Sequence, residues 1–305
     1  MTRYVKVAAA QLGPNNEGTP VDAIVTRMLR LMDEAIAERA DIVAYPEMAL
    51  SPYFPKRIRE DAEQFFSREV PPAALAPVVE RARGAGIIWH VGFCERDGDR
   101  RFNTAVLIDE RGDVRGRYRK IHLPGTNRVE PGTTGRVHEP YYFDPGDTGY
   151  RVFETPRARI GIAICQDRRY GETYRCLGLG GAEAVLIGYN TPAAPQALAL
   201  NELVMRAGAY ENHLFVVGAA KAGVEDGLEL IGGSCVISPL GEVLAKASTN
   251  GDELVTARID LDQTREARER WNFFARRHPE HYAAITSPVA DAWRDERLVK
   301  PASRR

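Results

Sequence analysis

The stretch Arg159-Ile160-Gly161-Ile162-Ala163-Ile164-Cys165-Gln166-Asp167-Arg168-Arg169 changes character at one residue. Five small or β-branched residues run up to Cys165, and four polar residues follow it. A run this short and apolar reads as a strand buried on both faces. Such strands belong to parallel sheets in α/β folds, and those folds gather their chemistry at strand carboxyl ends. The run therefore proposes a fold class and delivers a thiol to the place where that class keeps its reactive groups. Two guanidiniums beside the sulfur favour thiolate over thiol. The competing reading is plain packing, since unpaired cysteine is usually a small buried hydrophobe.

Working outward, strand and helix patterns alternate. Residues 5–12 read as a buried strand, followed by a loop with Pro14, Asn15, Asn16 and Gly18. Thr19 then reads as an N-cap with Pro20 in the first helical position. Ile24, Met28, Leu31, Met32 and Ala35 recur at helical spacing and form one apolar face. Residues 41–45 form a strand that Pro46 stops just before Glu47. Residues 73–84 give a second amphipathic helix, and residues 87–94, 102–108 and 114–121 give strands. From 124 to 150 the periodicity lapses in a stretch rich in Gly and Pro, and a loop that long is commonly functional or disordered. Beyond Cys165 come a helix at 171–179, a strand at 183–189 and a helix at 197–211. Strands follow at 214–220, 234–238, 243–245 and 254–259, and Asp260 is placed to cap a short polar helix. No linker, repeat or composition shift divides the chain. The expectation is one α/β domain over 1–278. A polar tail spans 279–305; the Arg and Lys of its last residues make it a solvated tail or an arm embracing a second subunit.

Bulk properties exclude several classes. With 41 basic and 42 acidic residues the net charge is −1, so no global field favours nucleic acid. No apolar run approaches the ~20 residues of a membrane helix, and the amino terminus enters a strand directly, without the pattern of a signal peptide. Four scattered cysteines make no disulfide framework, which fits a reducing cytoplasm. Cys94, Cys176 and Cys235 read as packing residues. The six histidines show no metal-site spacing; His278-Pro279-Glu280-His281 reads as a solvated segment. There is no G-x-S-x-G elbow and no G-x-G-x-x-G loop, so neither metal nor cofactor is expected.

Two further residues share the position of Cys165. Glu47 follows the apolar run 42–46, and Lys120 follows the run 114–118. Taken singly, Glu47 could cap a helix and Lys120 could be an exposed strand end. Together they place a carboxylate, an ammonium and a thiol at ends that one crevice can collect. Amide and ureido carbons are poor electrophiles, and their hydrolysis needs a nucleophile, a proton shuttle and an oxyanion donor. Cys165 fits the first role, Glu47 the second, and Lys120 with the backbone N–H after Cys165 the third.

The segments Tyr45-Pro46-Glu47-Met48, Tyr118-Arg119-Lys120-Ile121-His122-Leu123 and Ile164-Cys165-Gln166-Asp167-Arg168-Arg169 resemble, in order, the motifs of the nitrilase superfamily of carbon–nitrogen hydrolases. The resemblance covers nearly the whole chain. It implies a four-layer α-β-β-α sandwich, a Glu–Lys–Cys triad, and homodimers or homotetramers joined through helices on one face. Arg101-Phe102-Asn103-Thr104, His122-Leu123-Pro124-Gly125, Tyr142-Phe143-Asp144-Pro145-Gly146 and Gly188-Tyr189-Asn190-Thr191-Pro192 look like the subgroup that hydrolyses N-carbamoyl-D-amino acids to the D-amino acid, carbon dioxide and ammonia. Gln166 and the segment Asn127-Arg128-Val129-Glu130-Pro131 depart from that subgroup near the expected substrate pocket. The preference for the D hand comes from the resemblance alone.

The resemblance also implies that Glu139 is a fourth catalytic member that orients the lysine or the substrate nitrogen; His138, its neighbour in the chain, is a candidate for substrate binding. His122 shares a strand face with Lys120 and reads as an orienter behind the site. Arg168 and Arg169 offer forks that match a carboxylate, so a carboxylate-bearing small molecule is the expected substrate, with Asn190 and Thr191 assisting. Two other readings stand beside this one. One is an amidase, nitrilase or β-ureidopropionase-like hydrolase on the same fold, and the other is a non-catalytic scaffold, which the intact Glu47, Lys120 and Cys165 oppose.

Overall fold

The computed structural model describes residues 2–125 and 137–287. The departing segment at 127–131 and the basic end of the tail at 294–305 lie outside the described residues. The first half of the chain runs β1 (Tyr4–Gln11), α1 (Val21–Ala37), β2 (Ile42–Ala44), β3 (Phe66–Ser67), α2 (Ala76–Ala85), β4 (Ile88–Asp97), β5 (Arg100–Ile108), β6 (Val114–Arg119) and a single turn, α3 (Glu139–Tyr142). The second half runs β7 (Val152–Glu154), β8 (Arg159–Ile164), α4 (Gly171–Leu179), β9 (Ala184–Tyr189), α5 (Ala197–Asn212), β10 (Phe215–Ala220), β11 (Ala222–Glu225), β12 (Leu228–Ile231), β13 (Cys235–Ile237), β14 (Val243–Lys246), β15 (Glu253–Asp260) and α6 (Asp262–Trp271).

Strand alternation builds the layers. On β1, Val5, Val7 and Ala9 face the core shared by two sheets, while Ala8, Ala10 and, just past the strand, Leu12 face the helix layer. Against that outer face lies the apolar stripe of α1 (Ile24, Met28, Leu31, Met32, Ala35), with Val78 and Ala82 of α2 beside it. The first sheet has the order β15-β1-β2-β4-β5-β6, with β3 added against β4; the second has the order β14-β13-β10-β9-β8-β7. The two pack face to face, β1 over β10 and β5 over β8, and Leu177 of α4 with Met205 and Ala209 of α5 joins the core on the far side of the second sheet. The four-layer α-β-β-α sandwich is therefore present.

Topology brings the chemical ends together. β2 runs parallel to β4, and β4-β5-β6 is an antiparallel meander, so β6 again runs parallel to β2. β8, β9 and β10 are parallel to one another. Glu47, Lys120, Cys165 and Asn190 thus each follow the carboxyl end of a strand.

Several local expectations need correction. Pro20 itself occupies the N-cap of α1, and no side chain caps that helix, so Thr19 has no capping role. The strand before Lys120 ends at Arg119. Leu261 takes the N-cap of α6, with no side-chain cap, and Asp260 stands one residue earlier, its Oδ1 accepting from the Asp262 amide at 3.0 Å. Cys176 is exposed, while Cys94 and Cys235 are buried as expected. The strands β3 and β7 and the hairpin β11–β12 were not anticipated. No helix among the described residues is long and apolar enough to cross a membrane.

Candidate active site

Glu47 sits between the two sheets, and two glycines make the room. A Cβ on Gly92 of β4 would lie 2.7 Å from the Glu47 Cα, and one on Gly188 of β9 would lie 2.5 Å from its amide nitrogen. Both separations are shorter than side chains tolerate, so any larger residue must push the Glu47 backbone aside. The carboxylate is sealed from solvent and has three donors. Oε1 accepts from Lys120 Nζ at 2.7 Å and from Asn103 Nδ2 at 2.7 Å, and Oε2 accepts from the Asn190 amide at 3.0 Å. Asn190 Nδ2 also donates to the Glu47 carbonyl at 3.0 Å.

Lys120 emerges from a locked strand end. The guanidinium of Arg119 donates to Glu95, Asp97 and Asp147 and lies over the Phe102 ring, while the Lys120 amide donates to Asn103 O at 2.8 Å. Its ammonium bonds Glu47 and both oxygens of Glu139, at 2.9 and 2.7 Å. Burial works against the charge, but the carboxylates of Glu139 and Glu47 outweigh it and hold the lysine protonated. Glu139 opens α3 and accepts from the Tyr53 hydroxyl at 2.7 Å. Burial, aided by Glu47 and opposed by Lys120, pushes its carboxyl up to about 7.

Cys165 stands on a strained turn. Its φ is +46°, a left-handed conformation uncommon for a residue with a side chain. It joins β8 to a single 3₁₀ segment, Cys165–Arg169. Buried Asp167 pins this turn. Its Oδ2 accepts from the Ile164 amide at 3.1 Å and from Tyr118 OH at 2.8 Å, and its Oδ1 accepts from the His122 amide at 3.0 Å and lies 2.8 Å from His122 Nδ1. The thiol donates to Asn190 O at 3.3 Å, so one asparagine backbone touches both Cys165 and Glu47. Burial pushes the thiol up to about 11, with Glu47 adding to the rise and Lys120 and Arg168 opposing it. The expected resting thiolate is therefore corrected: burial and carboxylates outweigh the cations, and the sulfur rests as a thiol beside a base.

Arg168 does not form the expected carboxylate clamp. It is buried; its Nε donates to Asn201 Oδ1 at 2.6 Å, Nη1 to Cys165 O at 2.5 Å and Nη2 to Thr191 Oγ1 at 2.7 Å, and the guanidinium lies over the Tyr189 ring. Its fork is spent on the interior, so it braces the cysteine turn where a carboxylate clamp was expected. Thr191 serves Arg168, and Asn190 serves Glu47 and Cys165. Arg169 is exposed and Gln166 half-buried. His138 is buried beside Glu139, with its amide donating to Pro55 O at 2.8 Å. His122 is tied to Asp167, the residue that pins the cysteine turn, and stacks on Tyr170 at 3.6 Å. Among the described residues no group of His, Cys, Asp or Glu is arranged to hold a metal ion.

Asn103, Tyr53 and Asp167 belong to this assembly, and their roles were missed. Asn103 and Asp167 lay inside quoted motifs; Tyr53 carried no periodic or motif signal.

A buried acid and thiol linked through one asparagine, and an ammonium between two carboxylates, set in a four-layer sandwich, supply the groups that hydrolysis of an amide-like bond requires. The comparisons agree. Residues 6–269 match the carbon–nitrogen hydrolase family, and the chain belongs to that family, within the nitrilase superfamily. It is 30% identical over 299 residues to an N-carbamoylputrescine amidase of Arabidopsis thaliana, covering 93% of this chain and 95% of that protein. It is 33% identical over 285 residues to a nitrilase of Pyrococcus abyssi, covering 91% and 99%. A crystal structure of a carbon–nitrogen hydrolase from Helicobacter pylori shares the fold with a TM-score of 0.83 at 24% identity, covering 94% of this chain and 99% of that one.

Proposed function

We propose that the protein hydrolyses the ureido group of N-carbamoyl amino acids, the D series in particular, through a carbamoyl thioester on Cys165. The observation that carries the reading is the Lys120 ammonium held between Glu47 and Glu139 beside a buried thiol. The neutral thiol transfers its proton to Glu47 as sulfur attacks the carbonyl carbon. Lys120 and the backbone N–H of Gln166 receive the developing oxyanion. Glu47 returns the proton to the departing nitrogen as the tetrahedral species collapses. Water, deprotonated by Glu47, then cleaves the thioester, and the released carbamic acid falls to carbon dioxide and ammonia. Support comes from the motif resemblance and from a relative named for a carbamoyl substrate. The inward turn of Arg168 favours a second reading, a carbamoyl or amide hydrolase whose substrate needs no carboxylate.

The test is ammonia release from D- and L-carbamoyl amino acids, β-ureidopropionate, N-carbamoylputrescine and simple amides, with Cys165→Ala as control. Release from D-carbamoyl amino acids, abolished in Cys165→Ala with the fold retained, is expected. Turnover of simple amides alone would leave the second reading standing.

A further inference from the structure

A second sealed ion pair lies beside the site. Lys221 directly follows β10, and Glu225 closes β11; Nζ and Oε2 are 2.7 Å apart with both side chains out of solvent. Taking two charges out of water is costly, so such a pair is weak evidence for stability. Its remaining bonds converge on one segment. Lys221 Nζ donates to Ser51 O at 2.9 Å. Glu225 Oε2 accepts from the Asn15 amide at 2.8 Å, and Asn15 Nδ2 donates to Ala49 O at 2.9 Å. Glu225 Oε1 accepts from the Tyr53 amide. Tyr53, fully buried against Phe54 and Tyr142, turns its hydroxyl onto Glu139. Charge-assisted bonds therefore run from Lys221 through Glu225 to the Tyr53 amide, and, across the frame of that residue, from its hydroxyl through Glu139 to Lys120.

We infer that Lys221 and Glu225 are positioning residues for the reaction: by fixing the backbone of residues 51–53 they aim the Tyr53 hydroxyl at Glu139 and keep that carboxylate on Lys120. The inference rests on the hydrolase reading above. A phenol donor stabilises the ionised carboxylate only when correctly placed. Glu139 is faced by Lys120 from the end of β6, Glu47 from the end of β2, Cys165 from the end of β8 and Tyr53 from its loop. Of these, Tyr53 is the neutral group whose hydrogen bond falls on Glu139 itself, so its loss leaves two acids and a thiol opposed by one ammonium.

The experiment follows ammonia release and iodoacetamide alkylation against pH for the wild type, Tyr53→Phe, Glu225→Gln and the double variant. Peptide mass spectrometry separates Cys165 from exposed Cys176. In Tyr53→Phe the acidic limb of kcat should move up by about one pH unit and kcat at neutral pH should fall about tenfold, with KM within about twofold. Glu225→Gln should move the limb the same way, and the double variant should be little worse than Tyr53→Phe, because the two act in series. The alkylation profile of Cys165 should shift alike in both single variants. If Glu225→Gln fails to fold with Lys221 unpaired, Lys221→Met combined with Glu225→Leu removes both charges and is read the same way. A loss of melting temperature with an unmoved limb overturns the inference, as do additive effects in the double variant. A wild type that hydrolyses nothing defeats the hydrolase reading instead, and the alkylation profiles still decide whether Glu225 acts through Tyr53.

Discussion

Adjacent arginines face opposite environments. Arg168 lends its fork to Asn201, the Cys165 carbonyl and Thr191, whereas Arg169 is exposed. Removing Arg168 leaves buried acceptors unsatisfied, at about 1–3 kcal/mol each. Arg168→Ala should therefore slow carbamoyl amino acids and neutral amides equally, mostly through kcat. Arg169→Ala should raise KM for anionic substrates alone; side-by-side kinetics on one anionic and one neutral substrate checks both, and a selective KM effect at Arg168 would contradict its bracing place. Glu139 supplies the pH prediction. Its carboxyl, pushed up to about 7, must be ionised to hold Lys120, so activity should fall as pH drops below about 7. Stability moves the other way. The folded chain keeps a proton that an ordinary glutamate releases near 4.3, so this group makes the fold less stable as pH rises from about 4.3 to 7. Glu139→Gln should flatten that part of the stability curve, as urea melts at several pH values would show.

At the level of strands, the site depends on what the sheets omit. Gly92 and Gly188 come from different sheets, and the absence of their side chains opens the slot for the Glu47 backbone. Gly188→Ala should leave the far-ultraviolet circular dichroism unchanged, cost about 1–3 kcal/mol in stability and lower kcat at least a hundredfold, since a one-ångström misplacement costs about that much. Near-normal turnover would mean that the slot does not set the carboxylate. The sequence signalled β8, α1 and the ends at Glu47 and Lys120 because their apolar periodicity is local. It did not signal the slot, because a glycine in a strand is mute until the partner sheet is known. Nor did it signal the inward Arg168, because two consecutive arginines look alike until the turn at Cys165 sends one each way. The hairpin β11–β12 does carry a local cue, Asp226-Gly227 between short apolar runs. Tyr53 joins Glu139 across 86 residues, beyond the reach of any local pattern.

Across the whole molecule the two outer layers are finished differently. The outward face of α1 carries Thr26, Arg30 and Asp33, as a solvated helix should. The outward face of α5 carries Leu200 and Leu203, 51% and 59% exposed, with Tyr210 in edge contact with Trp271, itself 40% exposed. We propose that this clustered apolar surface is where a second chain docks; the motif resemblance implied oligomers joined through helices on one face and left open which face. Sedimentation should give about twice the 33.8 kDa of one chain, and Leu203→Arg should return the protein to a single chain. The same helix carries Asn201, which holds Arg168 and through it the Cys165 carbonyl. Covering α5 should therefore stiffen the cysteine turn as well as bury leucines, and the monomeric variant should lose several-fold in kcat with substrate KM little changed. A monomer of full activity would show that α5 braces the turn without help from a second chain, and an unaltered mass in Leu203→Arg would move the interface elsewhere.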